Sequence, residues 1–190
     1  IYEKYEIMKI DFIIPTIFRN EDELNRAVSS IKEEGVDHNI LLCGSKKPKD
    51  YIGNQNDAVA NINEGLGKIR NDSDWIILLD DDDYLNKGFS KELNNDYDIT
   101  VLRMSQNEND PIHSPKIIPR IGDDNLYSGN VGINFSLKTS FYLKHKWLFN
   151  SLAKYPDWDF LSRAIQYTNK IKITKDIYYV APVGNYYKNK

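Results

Sequence analysis

The chain has 190 residues, a hydrophobic share of 41%, a charged share of 28% and a net charge of −3. That is the profile of one soluble globular domain, residues 1–190, with a sizeable core and no general affinity for nucleic acid or anionic lipid. No apolar run reaches the length of a membrane span, no signal peptide stands at the start, and the lone Cys43 excludes an internal disulfide, so a soluble, cytoplasmic protein is expected.

Ile10–Ile14 reads as a first strand, stopped by Pro15, which cannot donate to a ladder. Asn20 is placed to cap a helix over 21–34, with acids in its first turn and Leu24, Ala27, Val28 and Ile31 on one face. Gly35 supplies the stop. Ile40–Cys43 is a second apolar strand closed by Gly44-Ser45, giving a β-α-β start with parallel pairing as the default. After a polar loop, Ala58, Val59, Ile62, Leu66 and Ile69 mark a second helix. Gly65 and Gly67 weaken that helix and mark close packing or a break.

Asn71-Asp72-Ser73 then turns the chain into Asp74-Trp75-Ile76-Ile77-Leu78-Leu79, a strand with the continuous apolar run of a parallel sheet covered on both faces. It runs directly into Asp80-Asp81-Asp82-Asp83. In open α/β sheets ligands bind beyond the carboxyl ends of strands, and a hard divalent cation would relieve the repulsion among four acids. A solvated acidic turn is the other reading. Asp80 and Asp82 share a face if the strand persists, and Asp83 fits a helix cap or an outer role around the ion.

Further on, Phe89–Leu93 reads as a short helix, and Ile99–Met104, Ile117–Ile121 and Gly132–Leu137 as strands. The aperiodic stretch 105–116 reads as a long loop, with His113 solvated in it. Phe141–Ala153 is expected to be helical, followed by a helix from about Asp157 carrying Phe160, Leu161, Ala164 and Ile165. Short strands at Ile171–Thr174 and Ile177–Val180 precede a tail containing Tyr186, Tyr187, Lys188 and Lys190. Tyr178 and Tyr179, with that tail, either close over a ligand or form an ordinary edge.

Four segments in order resemble the family-2-like, inverting glycosyltransferases of GT-A fold. They are Ile13-Ile14-Pro15-Thr16 with Arg19, then Asn63-Glu64-Gly65, then Leu79-Asp80-Asp81-Asp82-Asp83, and finally Pro156-Asp157-Trp158-Asp159-Phe160-Leu161 with Arg163. The third is similar to the family's DxD motif and the fourth to the segment carrying its catalytic base. Two segments depart from the pattern. Leu42-Cys43-Gly44-Ser45 stands where the family has Asp-Asp-Gly-Ser, and Pro156 stands where it has Glu.

The resemblance implies a single α/β, Rossmann-like GT-A domain. A mostly parallel central sheet flanked by helices would be joined by a smaller mixed sheet toward the C-terminus. Residues of about 1–104 would bind a nucleotide-diphospho-sugar, and about 105–190 a glycan or glycoprotein acceptor. Asp82 and Asp80 would hold Mn²⁺ or Mg²⁺. Pro15, Thr16, Arg19, Gly44, Asn63, Asp80 and Asp81 would face the nucleotide sugar, with UDP the favoured nucleotide. Asp157 would be the base, with Asp159 as runner-up and a helix N-cap as its structural alternative. The rival functions are a nucleotidyltransferase, although Pro15–Arg19 lacks the glycines of a phosphate loop, and a non-catalytic module that binds a glycan or nucleotide. The sequence names no oligomeric state.

Overall fold

The computed structural model describes residues 7–18, 20–47, 51, 54–109 and 114–182. Arg19, His113 and the tail residues Tyr186, Tyr187, Lys188 and Lys190 lie outside the described residues. The opening half follows the expected alternation: β1 (Lys9–Pro15), α1 (Glu21–Lys32), β2 (Asp37–Cys43), α2 (Gln55–Leu66) and β3 (Trp75–Leu78). Asn20 caps α1, its side chain accepting from the amides of Asp22 and Glu23, and Asn54 caps α2 through Asp57. Gly35, at φ 76°, turns the chain out of α1.

The remaining strands are β4 (Tyr84–Leu85), β5 (Ile99–Gln106), β6 (Lys116–Ile118), β7 (Phe135–Lys138) and β8 (Ile171–Ala181). All eight strands form one mixed sheet in the order β2-β1-β3-β7-β5-β8-β4, with β6 paired to β5. This corrects two expectations, a mostly parallel sheet and a separate smaller one. β7 pairs antiparallel to both β3 and β5, Ile76 facing Leu137 and Thr100 facing Ser136. The ladder therefore continues unbroken into the C-terminal strands. Because β7 reverses direction twice over, β5 runs the same way as β3, and β8 is parallel to β5. The carboxyl ends of β1, β2, β3, β5 and β8 thus share one edge.

Consecutive residues of β1 serve opposite faces. Phe12 meets Phe89 edge-on at 6.0 Å, on the face where α1 lies against β4 through a Leu85 amide donating to Ser30 Oγ at 3.1 Å. The sheet curls enough to bring β4, last in the strand order, against the helix between β1 and β2. Ile13 points to the other face, against α2. There Phe135 of β7, Phe149 and Phe160 stack, with Phe149 and Phe160 4.3 Å apart. That stack seats α4 (Pro156–Ala164) on the sheet.

Three other elements differ from expectation. The helix expected over Phe141–Ala153 is only α3 (Thr139–His145), because Lys146 takes a left-handed φ of 54° and the chain then runs irregularly to Tyr155. Phe89–Glu92 is a single 3-10 turn. The two strands expected near the C-terminus are one, because Lys175 and Asp176 swing outward at an irregularity in the β5–β8 register without ending the ladder.

Gly65 is the close approach that the sequence suggested. A methyl there would enter the envelope of Ile13 Cγ2 and lie 3.1 Å from Cys43 Sγ. Ile13 is fully buried and its Cγ2 branches at Cβ, so it moves only by turning χ1. Gly65→Ala is expected to destabilise by about 1–2 kcal/mol, the overpacking outweighing roughly 1 kcal/mol of helix propensity. Gly67→Ala, whose nearest contact is Glu64 O at 3.4 Å, should be neutral or stabilising. Urea denaturation of the pair separates the two effects.

Candidate functional site

β3 does not persist into the acids. The amide of Asp83 donates to the carbonyl of Asp80 at 3.2 Å, so residues 80–83 form a turn at the shared carboxyl edge. Asp80 and Asp82 come together, as expected, but the turn gathers them with Asp83. One carboxylate oxygen from each of the three lies within 4.8 Å of the others. No helix follows for Asp83 to cap; β4 does.

Asp83 is 2% exposed, and its Oδ2 has no hydrogen-bond partner among the described residues. A buried polar oxygen without a partner is costly and rare. Burial, then the charges of Asp80 and Asp82, push its carboxyl well above the ordinary value, while Tyr179 and Arg26 act the other way. Tyr179, fully buried near the end of β8, accepts from the Asp80 amide at 3.1 Å and bonds to Asp83. Burial and the Asp83 charge hold its phenol well above its usual range. Arg26 of α1 donates to the carbonyl of Asp82 and lies 5.3 Å over the Tyr84 ring. Three crowded carboxylates, one buried with an unsatisfied oxygen, fit a hard divalent cation such as Mg²⁺ or Mn²⁺, which takes oxygen ligands.

Pro15, Thr16, Gly44 and Asp81 meet beside this cluster. Thr16 is 2% exposed and donates from Oγ1 to Asp81 Oδ2 at 2.5 Å, while the Phe18 amide donates to the same hydroxyl at 2.9 Å. Asp81 is thereby tied to the β1 turn. Gly44 has φ 130°, and a Cβ there would overlap the Thr16 carbonyl oxygen and come 2.6 Å from Asn61 Nδ2. The β1 and β2 ends approach so closely that only glycine fits.

Asp157 reaches the same edge by a longer route. Gln55, at the start of α2 beyond β2, donates to the carbonyls of Ser151 and Ala153. α4 then descends toward Ile171, which pairs with Ile99 at the amino end of β5. The first turn of α4 is therefore at the carboxyl edge. Asp157 is half-buried, and burial raises its carboxyl from 3.8 to about 6. It is not the N-cap; Tyr155 holds that place without a side-chain bond. Asp159 is tied to Arg163 at 2.9 Å.

Asn63 is not brought to the cluster. Its amide closes a pair of bonds with the backbone of Phe149, at 3.0 and 2.8 Å. Tyr178 and Tyr179 do not close over the site either, since both belong to β8 and Tyr179 is core. Arg26 was not legible as a site residue, and Tyr179 reads in the sequence as closing over a ligand or as an edge, not as a buried partner of Asp83. The only trace of them was an arginine in a helix following the first strand and a tyrosine pair in a late strand. A cleft of about 450 Å³ lined by Tyr97, Asn125 and Lys172 lies at the opposite, amino edge.

The sequence matches no family model and no curated protein. Solved structures share the fold. Residues 1–349 of Staphylococcus aureus TarS superpose with a TM-score of 0.67 over 92% of this chain and 60% of that one, at 16% identity. The same TarS fragment in complex with UDP-GlcNAc gives 0.65 over 96% and 61%, also at 16% identity. The catalytic domain of Drosophila β1,4-galactosyltransferase 7 in complex with xylobiose gives 0.59 over 97% and 74%, at 14% identity. The chain spans about 60% of the TarS fragment. It has a GT-A-like glycosyltransferase fold, a single mixed α/β domain whose acidic cluster can coordinate a divalent metal.

Proposed function

We propose that the chain is a cytoplasmic, metal-dependent glycosyltransferase acting in glycan synthesis. It moves a sugar from a nucleotide-diphospho-sugar, with UDP as the favoured nucleotide, to an acceptor hydroxyl with inversion. The observation that supports this reading is the presence of two unlike carboxylate environments. One is the crowded Asp80–Asp82–Asp83 cluster with its orphaned buried oxygen. The other is the isolated Asp157, raised to about 6 by burial alone.

In this reading Asp80, Asp82 and Asp83 hold Mn²⁺ or Mg²⁺, and Pro15, Thr16, Gly44 and Asp81 face the nucleotide, with Arg19 retained from the sequence. A bound cation there supplies Lewis-acid stabilisation of the diphosphate leaving group. Asp157 accepts the acceptor's hydroxyl proton as the new C–O bond forms and the bond to the diphosphate breaks. A carboxylate with a pKa of about 6 is a stronger base than an ordinary aspartate and is still largely ionised at neutral pH. Residues of about 1–104 serve the donor and about 105–190 the acceptor.

The names of the fold neighbours support the choice of donor. TarS fragments have been crystallised with UDP and with UDP-GlcNAc, and a variant of the Drosophila enzyme with manganese, UDP-Gal and xylobiose. Calorimetric titration with UDP- and GDP-sugars, with and without Mn²⁺, followed by mass spectrometry of products, tests the reading. Metal-dependent UDP-sugar binding with sugar transfer or release is expected. Glycan affinity without nucleotide affinity would make the chain a binding module, and pyrophosphate release would make it a nucleotidyltransferase.

A further inference from the structure

The net charge of −3 hides a local exception. Between Asp124 and Asp157 the chain has no acidic residue. The connector from the end of α3 to α4 crosses the outer side of the α2–α4 face, and its residues alternate strictly over 144–154. His145, Trp147, Phe149, Ser151 and Ala153 turn inward, and Lys144, Lys146, Leu148, Asn150, Leu152 and Lys154 turn outward. Leu148 is 55% exposed, Leu152 92%, and the neighbouring Tyr167, whose ring lies 5.4 Å from that of Trp147, 60%. Singly exposed apolar residues are ordinary on a protein surface; here two leucines project from the same side of one strap, interleaved with lysines.

The strap is held rigidly. Phe149 is stacked in the core, Arg163 Nη2 donates to the Leu148 carbonyl at 2.7 Å, Asn63 brackets the Phe149 backbone, and Gln55 takes the carbonyls of Ser151 and Ala153. Its lysines make no ion pair among the described residues, and three acids near it are engaged elsewhere. Asp57 accepts from Tyr51, Glu64 pairs with Lys68, and Asp159 pairs with Arg163.

We infer that this strap is a docking surface for an anionic lipid bilayer. Aliphatic tips flanked on both sides by lysines that form no ion pair among the described residues suit an interfacial segment, with leucines entering the acyl boundary while ammonium groups remain among the phosphates; of these lysines, Lys154 lies 5.2 Å over the Tyr155 ring. A second copy of the chain would oppose like charge to like across a two-fold contact. The strap projects its lysines and leucines outward along one exposed side. It ends at Pro156, one residue before Asp157, so docking sets the carboxyl edge close to the bilayer. This inference does not depend on the proposed reaction and stands if that reading fails.

Sedimentation of the full chain with phosphatidylserine-containing vesicles and with pure phosphatidylcholine vesicles tests it. Binding to the anionic vesicles alone is expected, weakening as salt rises. Each lysine near such a surface is worth roughly fivefold in partitioning, so Lys144→Gln/Lys146→Gln/Lys154→Gln should lose on the order of a hundredfold. Leu148→Ser/Leu152→Ser should lose at least about tenfold. All five positions are exposed, so both variants should keep the wild-type melting temperature. No sedimentation with anionic vesicles overturns the inference, as does equal binding by both variants. A dimer in light scattering that the same substitutions dissolve would assign the strap to a second copy and also overturn it.

Discussion

Asp83→Asn should raise the melting temperature of the cation-free protein and abolish the further rise that Mn²⁺ gives the wild type. Both effects come from one oxygen. Asp83 is 2% exposed, its Oδ2 is unpartnered among the described residues, and Asp80 and Asp82 add their charges to the penalty of burial. Without a cation the folded state is penalised for an ionised Asp83, and the penalty is relieved as pH falls through the raised pKa. Asparagine has no charge to bury, and its amide can donate toward the neighbouring carboxylates, so the variant begins more stable at neutral pH.

With a cation the order reverses. A ligand that binds only the native state stabilises it by about 2.7 kcal/mol at a hundred times its dissociation constant. For a chain of this size that is roughly 5–10 °C in melting temperature. The variant loses a ligand oxygen, so thermal melts with and without MnCl₂ should cross. Asp82→Asn should likewise lose the Mn²⁺ response, and metal-dependent transfer should fall by roughly a thousandfold or more, because Lewis-acid stabilisation is worth several kcal/mol. A wild-type melting temperature indifferent to both Mn²⁺ and Mg²⁺ would remove the metal from the proposal.

How far the sequence announced this fold depends on where contacts are local. β1, α1, β2, α2 and β3 were legible because each carries its own signal. Asn20 and Asn54 sit at helix starts, apolar faces recur at helical spacing, and Ile76–Leu78 is buried throughout. The C-terminal half depends on partners distant in sequence. Nothing local in Phe135–Lys138 says that it slots between β3 and β5, which makes one mixed sheet instead of two. Lys146 in the left-handed region ends α3, although Phe141 to Ala153 reads apolar enough for a helix. The inward Trp147 and Phe149 add to that apolar content while alternating with exposed neighbours in a strap.

The site divides the same way. Asp80 and Asp82 were legible as a pair, but by strand alternation, whereas a turn brings them together. That turn admits Asp83, whose burial is enforced by Tyr179, from β8. The Thr16–Asp81 bond and the Gly44 approach follow from β1 and β2 pairing in register, Pro15 opposite Cys43. Asn63 shows the limit of a motif match: its position fits the family pattern, yet its amide is spent on Phe149.

Asp157→Asn is expected to separate activity from stability in opposite directions. A positioned general base contributes roughly 10²–10⁴-fold to rate, so kcat should fall by that factor while donor affinity, set at the β1, β2 and β3 ends, stays near wild type. The wild-type rate should rise with pH until the carboxyl ionises near 6, then level off, and the variant should lose that limb. Stability moves the other way. The folded protein binds the Asp157 proton more tightly than the unfolded chain, so the carboxyl adds no penalty below about pH 3.8 and its full penalty above about pH 6. The whole shift corresponds to about 3 kcal/mol. Partial exposure and the α4 N-terminus, which favours a negative charge, reduce this to about 1–3 kcal/mol. Asparagine keeps the shape without the charge, so the variant should match wild type near pH 4 and exceed it by about 2–10 °C in melting temperature above pH 7. A group that only capped a helix would give the opposite result, a loss of stability with activity largely kept. A variant that is both slower and more stable is the signature of a carboxylate held in a poor solvent environment because the reaction needs its basicity.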